Sequence, residues 1–484
     1  MKSQKILIFI LSVFILLGII WLFFPKNNLT IKGINLRFPS YSKSINSDST
    51  SSIDIDSVLL NANQSFIMTC SNNQIDTLNY FKNFLTKNPN RIYLPNNDYQ
   101  FFDTLFQLFE NSDSTIYRIM HYGDSQIELD RISSILRQNI QTLFSGNGVG
   151  MIPAIQKIPS VSISQKASGN FTRYIIYGDS TTQRAPHSHY GIMGHFSCLK
   201  DNATITFKTS SHSHAQENVK RISRVSLLLG NNSENFIAKL QCDTFPNISK
   251  KCNVNSGASL LTWDFPCNIK KGTLTIEGCA DIYAILLDGN NGVAVDNNAL
   301  RGCSGTIFTK IDKEIMAQSF ELLNTRLIIL QFGGNRMPSI TNTSSINAYT
   351  KQIERQFNYF KEVAPKAKLL FIGPSDMGKS VNGTIKTWPK LPELNDSLKS
   401  ISLRNNVAYW DMFNVMGGEN SMIRWVQHQP AFATSDYIHF THHGANEIGN
   451  VLSKSFETYY NFYNLRKTLP NDSVINFINN DTIK

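Results

Sequence analysis

The order of periodicities constrains this chain most. Strand-like apolar runs alternate with helical patterns around residue 120 and again beyond residue 310, while residues 156–290 between them carry almost no helical periodicity. Ile116–Tyr122 reads as a strand ending in Gly-Asp-Ser, and Glu128–Leu143 as the helix after it. Arg326–Phe332 (RLIILQF) reads as a buried strand after the amphipathic stretch Ile311–Leu323. Ser345–Val363 has helical spacing, Lys368–Ile372 and Val407–Trp410 are further apolar strands, and Gly444–Tyr463 reads as a closing helix. Strands without polar alternation, separated by helices, belong to a parallel sheet covered on both faces. The middle is punctuated by turns: Ala203–Lys208, Val225–Leu229, Ile237–Gln241, Ser259–Asp264, Thr273–Ile276 and Ile282–Leu287 are short strand patterns. That spacing predicts an all-β sandwich over 156–290, inserted into an α/β domain whose two parts are residues 61–155 and 291–465, with 466–484 as a tail. Tyr99–Glu110 predicts a short helix packed on that domain, and Gly146, Gly148 and Gly150 predict a turn.

The N-terminus sets the expected compartment. Lys2 and Lys5 precede Ile6–Phe24, an apolar run interrupted by Ser12 and Gly18 alone. As a helix it spans about 28 Å, close to a bilayer core. Pro25, Lys26, Asn27 and Asn28 follow, with no small-x-small cleavage site. Residues 1–27 are therefore expected to be an uncleaved signal anchor that crosses the cell membrane once and leaves the rest extracytoplasmic, in the periplasm; a cleaved signal peptide is the rival reading. Residues 28–60, most biased at Ser42–Ser52, read as a Ser/Asn-rich stalk. A single long apolar run excludes a multi-pass transporter, and 41% hydrophobic residues exclude wholesale disorder. The net charge of +10 is spread without a basic run, so no nucleic-acid partner is expected. Of the seven cysteines, Cys198, Cys242, Cys252, Cys267 and Cys279 cluster in the middle region. An oxidising compartment permits a disulfide there, such as Cys242 with Cys252; the pairing stays open, and no CxxC exists to build a zinc ribbon.

The chemistry-bearing residues sit at strand ends, where open α/β sheets place their sites. Gly123-Asp124-Ser125-Gln126 follows the first strand, Gly302 lies in Asn297–Gly302, Gly333-Gly334-Asn335 ends the apolar strand, and Asp436-Tyr437-Ile438-His439 precedes the last helix. A serine hydroxyl needs a base to become a nucleophile. His439 can take its proton, and Asp436, three residues earlier, can reach the other ring nitrogen. The backbone N–H groups of Ser125 and Gly302 and the Asn335 amide can hold an oxyanion, with Gly305 as the alternative to Gly302. Asp124, next to the serine in a tight turn, reads as a buried structural acid.

This ordered set resembles the SGNH, or GDSL, hydrolases, whose Ser, Gly, Asn and His correspond to Ser125, Gly302, Asn335 and His439. The resemblance covers roughly 113–155 and 290–465. It implies a flavodoxin-like, three-layer α/β/α domain with a parallel sheet. His121–Ser125, the inserted β-domain and Gly373–Met377 are similar to cell-surface peptidoglycan O-acetylesterases, whose insert looks like a carbohydrate-binding module. What this implies is a carbohydrate esterase that removes acetyl from a wall or surface glycan without a cofactor. An O-acetyltransferase working with a membrane O-acyltransferase shares the same site, and a non-catalytic glycan-binding protein is the third reading.

Two rival signals are weaker. Gly373–Ser380 matches G-x-x-x-x-G-K-[ST] in full, but Val381-Asn382-Gly383-Thr384, Pro389 and Pro392 leave no helix to aim N–H groups at a phosphate. It is expected to shape the mouth of the esterase site. His187 with His189, and His212 with His214, form HxH pairs; exposed loop histidines are the commoner case, and no metal is expected. His442 and His443 read as rim or helix-start residues, and Arg336 as either a substrate contact or a surface charge.

Overall fold

The computed structural model describes residues 54–62, 74–243 and 245–479, with short stretches at 11–13, 16–17, 29–31 and 34–36. Residues 1–52 and 53–484 are separate units. In the first, Leu29–Ile31 pairs antiparallel with Ile34–Leu36. The expected anchor Ile6–Phe24 lies mostly outside the described residues, among which no helix is long and apolar enough to cross a membrane.

The second unit is built on a six-stranded sheet. Its spatial order is Gly292–Ala299, Ile116–Gly123, Thr325–Gln331, Lys368–Ile372, Ala408–Trp410 and Ile92–Tyr93. All neighbours are parallel except the last pair. Numbered along the chain, the parallel strands run 2-1-3-4-5, the flavodoxin-like order, and the direction of winding reverses beside Ile116–Gly123. The apolar runs are continuous because both faces are buried. Ile119, Ile329, Leu370 and Trp410 face one core with Phe81, Phe106, Leu136 and Ile448 of four helices. Met120, Tyr122, Leu330 and Phe371 face the other, against Phe320, Phe360 and Leu398 of three more. Helices thus flank both faces of a parallel-containing sheet.

Nine antiparallel strands form the second sheet. Its central members are His195–Thr209, Ile222–Asn232 and Ala280–Asp288. Leu199, Phe207, Leu227, Leu240, Trp263, Leu274 and Ile285, drawn from across it, share one core, so the sheet must fold back on itself. Hydrogen bonding joins it into one system. It also contributes Phe196, Leu228, Tyr283 and Leu286 to the second α/β core. A buried ion triad joins the two sheets: Arg118 of the parallel sheet meets Asp288 at 2.6 Å and Asp296 at 2.7 Å. Asp296 also accepts from Met151 N at 2.8 Å.

Five expectations need correction. Gly148–Ile152 is a strand paired with Ala280–Asp288, not a turn. Glycine is required there because a Cβ at Gly148 would run into Leu287 O, and one at Gly150 into the Asp296 carboxylate. The helix expected from Glu128 begins at Ser133, after a 3-10 turn over Ser125–Asp130. Cys242 pairs with Phe245 and Cys252 with Phe236, at opposite ends of one hairpin, roughly 20 Å apart at ~3.3 Å per residue. A disulfide between them is geometrically excluded. Finally, Ile55–Ala62, inside the expected stalk, is a helix that buries Ile55, Leu59 and Ala62, because these fall on one face at helical spacing. The helix Asn471–Asn479 lies in the expected tail, with Val474 and Ile478 buried.

Candidate active site

Ser125 follows the strand Ile116–Gly123, where a kinked turn presents it. Leu129, Asp130 and Ile132 all have positive φ, at 64°, 63° and 57°. Such conformations cost roughly 1–3 kcal/mol each and persist only where surroundings hold them. Here they are held. Asp130 makes a bidentate pair with Arg137 at 2.6 and 3.0 Å and accepts from Ser162 Oγ, while Arg137 Nε donates to Val295 O at 2.6 Å. Ile132 is fully buried.

The three residues of the expected relay come together. Ser125 Oγ lies 2.9 Å from His439 Nε2, and His439 Nδ1 lies 2.7 Å from Asp436 Oδ2. Asp436 Oδ1 accepts from Thr434 Oγ1 at 2.6 Å and from the N–H groups of Ile438 and His439 at 2.9 and 3.0 Å. Partial burial pulls its pKa up, but the bonds from His439, Thr434 and the two backbone N–H groups outweigh this and hold the carboxyl well below the usual range. It is therefore a carboxylate that fixes the imidazole orientation.

The oxyanion candidates differ among themselves. Gly302 sits third in the turn closed by Cys303 N to Leu300 O, at φ 77°, and among the described residues its N–H meets no acceptor. Gly305, the alternative, donates its N–H to Cys303 Sγ at 3.3 Å. Asn335 Nδ2 donates to Asp124 Oδ2 at 3.1 Å and to Cys303 O at 3.2 Å, so serving an oxyanion requires sharing one of these hydrogens. Asp124 is buried, bonds Gln126 N at 3.0 Å, and points to Asn335. Burial raises its pKa to about 6, against the hydrogen bonds from Gln126 N and Asn335 and the nearby His439 ring, which pull it down.

Two residues escaped the sequence reading. Gln126 Nε2 donates to Ile438 O at 2.6 Å and to Ser375 Oγ at 3.3 Å, tying the serine turn to the histidine loop. Arg131 donates to Ser125 O at 2.7 Å and to Phe440 O at 3.0 Å, a second clasp between the same segments. Their partners on the histidine loop, Ile438 and Phe440, lie more than 300 residues away in sequence, so no local pattern could reveal them.

A cavity of about 160 Å³ opens at the serine, lined by Asn335, Pro374, Met377, Trp388 and His439 among others. The P-loop-like segment borders it. Gly378–Val381 pairs with Thr384–Thr387 as a hairpin, and Gly378 N donates to Tyr437 O at 2.8 Å. No helix starts there. His187 lies 3.5 Å from Asp281, His214 packs on His442, and His443 stacks on Phe432. Among the described residues, no three His, Cys, Asp or Glu are grouped as metal ligands. The Arg336 guanidinium lies over the Tyr349 ring.

No protein-family model matches the sequence, and no curated protein does. The fold is similar to a solved peptidoglycan O-acetylesterase, with a TM-score of 0.60 at 19% identity over 75% of this chain and 96% of that one. A family two carbohydrate esterase from Cellvibrio japonicus matches at TM-score 0.25 and 11% identity, over 62% of this chain and 99% of that one. A family 2 carbohydrate esterase from Corynascus thermopiles matches at 0.24 and 10%, over 60% and 99%. The last two scores carry no weight, and the first speaks for the fold alone.

Proposed function

We propose that this protein is a serine esterase that removes O-acetyl groups from a cell-wall or surface glycan, held outside the cytoplasm by its N-terminal apolar segment. The observation that carries the reading is the continuous chain from Ser125 Oγ through His439 to Asp436. His439 Nε2 takes the serine proton as Oγ attacks the acetyl carbonyl. Asp436 stabilises the imidazolium through Nδ1. The N–H groups of Ser125 and Gly302, with the Asn335 amide, receive the oxyanion. His439 then protonates the departing sugar oxygen, and water attacks the acetyl-serine by the reverse use of the same base. The unengaged Gly302 N–H supports its place as a donor over Gly305. The resemblance in fold to a peptidoglycan O-acetylesterase supports the substrate class.

The test is acetate release from O-acetylated peptidoglycan and from acetylated xylan by the full chain. Ser125→Ala is expected to lower kcat by at least about 10³-fold and to abolish labelling by a fluorophosphonate. Labelling of Ser125 without acetate release, together with acetyl transfer to an added glycan, would replace hydrolysis by transfer. Neither labelling nor release would sink the enzyme reading.

A further inference from the structure

A larger cavity, of about 250 Å³, lies between the serine turn and the nine-stranded sheet. Its floor is Glu128–Asp130 with Asn297, Ala299 and Arg301, and its walls are Arg173, Tyr177, His195 and the 155–160 loop with Lys157. Glu128 is three residues past Ser125, so the cavity begins within roughly 10 Å of the serine along the chain. Arg301 is the neighbour of Gly302. The space therefore adjoins the acyl site on the side of the inserted domain.

The charges facing it do not balance. Asp130 and Arg137 are closed on each other. Glu128 has one oxygen 3.4 Å from the largely exposed Arg301, and its other oxygen, Oε1, is buried without a donor among the described residues. Arg173 is half-buried, its Nε is buried without an acceptor, and among the described residues no carboxylate pairs with it. Two titratable groups beside it, His195 and Tyr177, do not offset its charge. Burial, and then Arg173 itself, push His195 down to about 3, and burial pushes Tyr177 up to about 12, so both are neutral at pH 7. Lys157, exposed on the rim, adds a second cation without an ion-pair partner among the described residues. A guanidinium whose Nε is buried without an acceptor, and which no acid neutralises among the described residues, costs stability; a ligand carboxylate, met bidentately, would return it.

We propose that this cavity is a sugar subsite for acidic glycan, in which Arg173 binds the carboxylate of a residue at or beside the acetylated sugar and Glu128 Oε1 accepts from a sugar hydroxyl. The acetylated part of this statement rests on the esterase reading; the carboxylate part does not.

The probes are N-acetylglucosaminyl-N-acetylmuramic acid and chitobiose, which differ by one lactyl carboxylate. Binding to the full chain is measured by calorimetry at pH 7. The acidic disaccharide is expected to bind about tenfold or more tightly, with the difference shrinking at high salt. Arg173→Gln should erase the difference, and Arg173→Lys should restore part of it. Where Arg173→Gln fails to fold, exposed Lys157→Gln is read instead, with an expected loss of about threefold for the acidic sugar alone. Equal binding of the two sugars, or a preference that survives these substitutions, overturns the subsite. Turnover of 4-nitrophenyl acetate by the wild type reads the acyl chemistry separately. No turnover with the carboxylate preference intact would sink the esterase and leave the subsite standing.

Discussion

Asp124 shows how burial divides two neighbouring residues into different roles. Ser125 faces the cavity, while Asp124 turns inward and accepts from Gln126 N and Asn335 Nδ2. Burial raises its pKa from 3.8 to about 6. A carboxyl raised on folding holds its proton longer in the folded state than in the unfolded chain. Its contribution to stability is therefore complete below about pH 4 and is lost as pH rises through 6. The loss amounts to about 3 kcal/mol at ~1.4 kcal/mol per pKa unit. Asp376, raised to about 6 by its burial, acts in the same sense, so Asp124→Asn should flatten only part of the slope. Urea unfolding of both proteins between pH 4 and 7 checks this; identical slopes would remove Asp124 from the account. At this scale the sequence reading reached Ser125, Asp436, His439 and the inward Asp124, because each lies in a short motif with a chemical reason. It passed over Gln126 and Arg131, whose meaning depends on partners brought close only by the fold.

The elements carry the site by the way they end. The loop after Gly292–Ala299 holds two glycines with nearly equal φ, 77° at Gly302 and 76° at Gly305. Their surroundings separate them. A Cβ at Gly302 would meet nothing within 4 Å, whereas one at Gly305 would sit 2.6 Å from the Phe332 ring. Gly302→Ala should then cost only the backbone strain, about 1–2 kcal/mol, and Gly305→Ala that strain plus overpacking, about 2–5 kcal/mol in all. Thermal denaturation of the two variants orders them, and equal losses would contradict the packing argument. Strand and helix types were legible wherever apolar spacing extended over many residues, as in Lys368–Ile372 and Thr343–Val363. The glycine-rich strand Gly148–Ile152 was not, since its glycines answer to close approach by another strand and not to a local turn.

For the whole molecule, the question is what makes the inserted sheet part of the α/β unit. Arg118, Asp288 and Asp296 are each about 3% exposed or less and join both sheets. Arg118→Met would leave two buried carboxylates without their cation, a loss of about 3–5 kcal/mol. The expected result is a lower urea midpoint, with the two sheets unfolding in separate steps. A single unchanged transition would show that the apolar contacts of Phe196, Leu228, Tyr283 and Leu286 suffice. Met151, whose N–H donates to Asp296 of that triad, also lines the cavity that Arg173 faces.

The sequence by itself determined the classes of element, the parallel sheet, the β-rich middle and the Ser, His and Asp that the fold brings within hydrogen-bond distance of one another. These follow from periodicity and side-chain chemistry, which are local. Only the tertiary structure decided that Cys242 and Cys252 stand apart and that, among the described residues, Gly302 rather than Gly305 has an unengaged N–H and Arg173 lacks an acid partner. Each is a statement about which distant group lies within a few ångströms, and chain spacing carries no such distance.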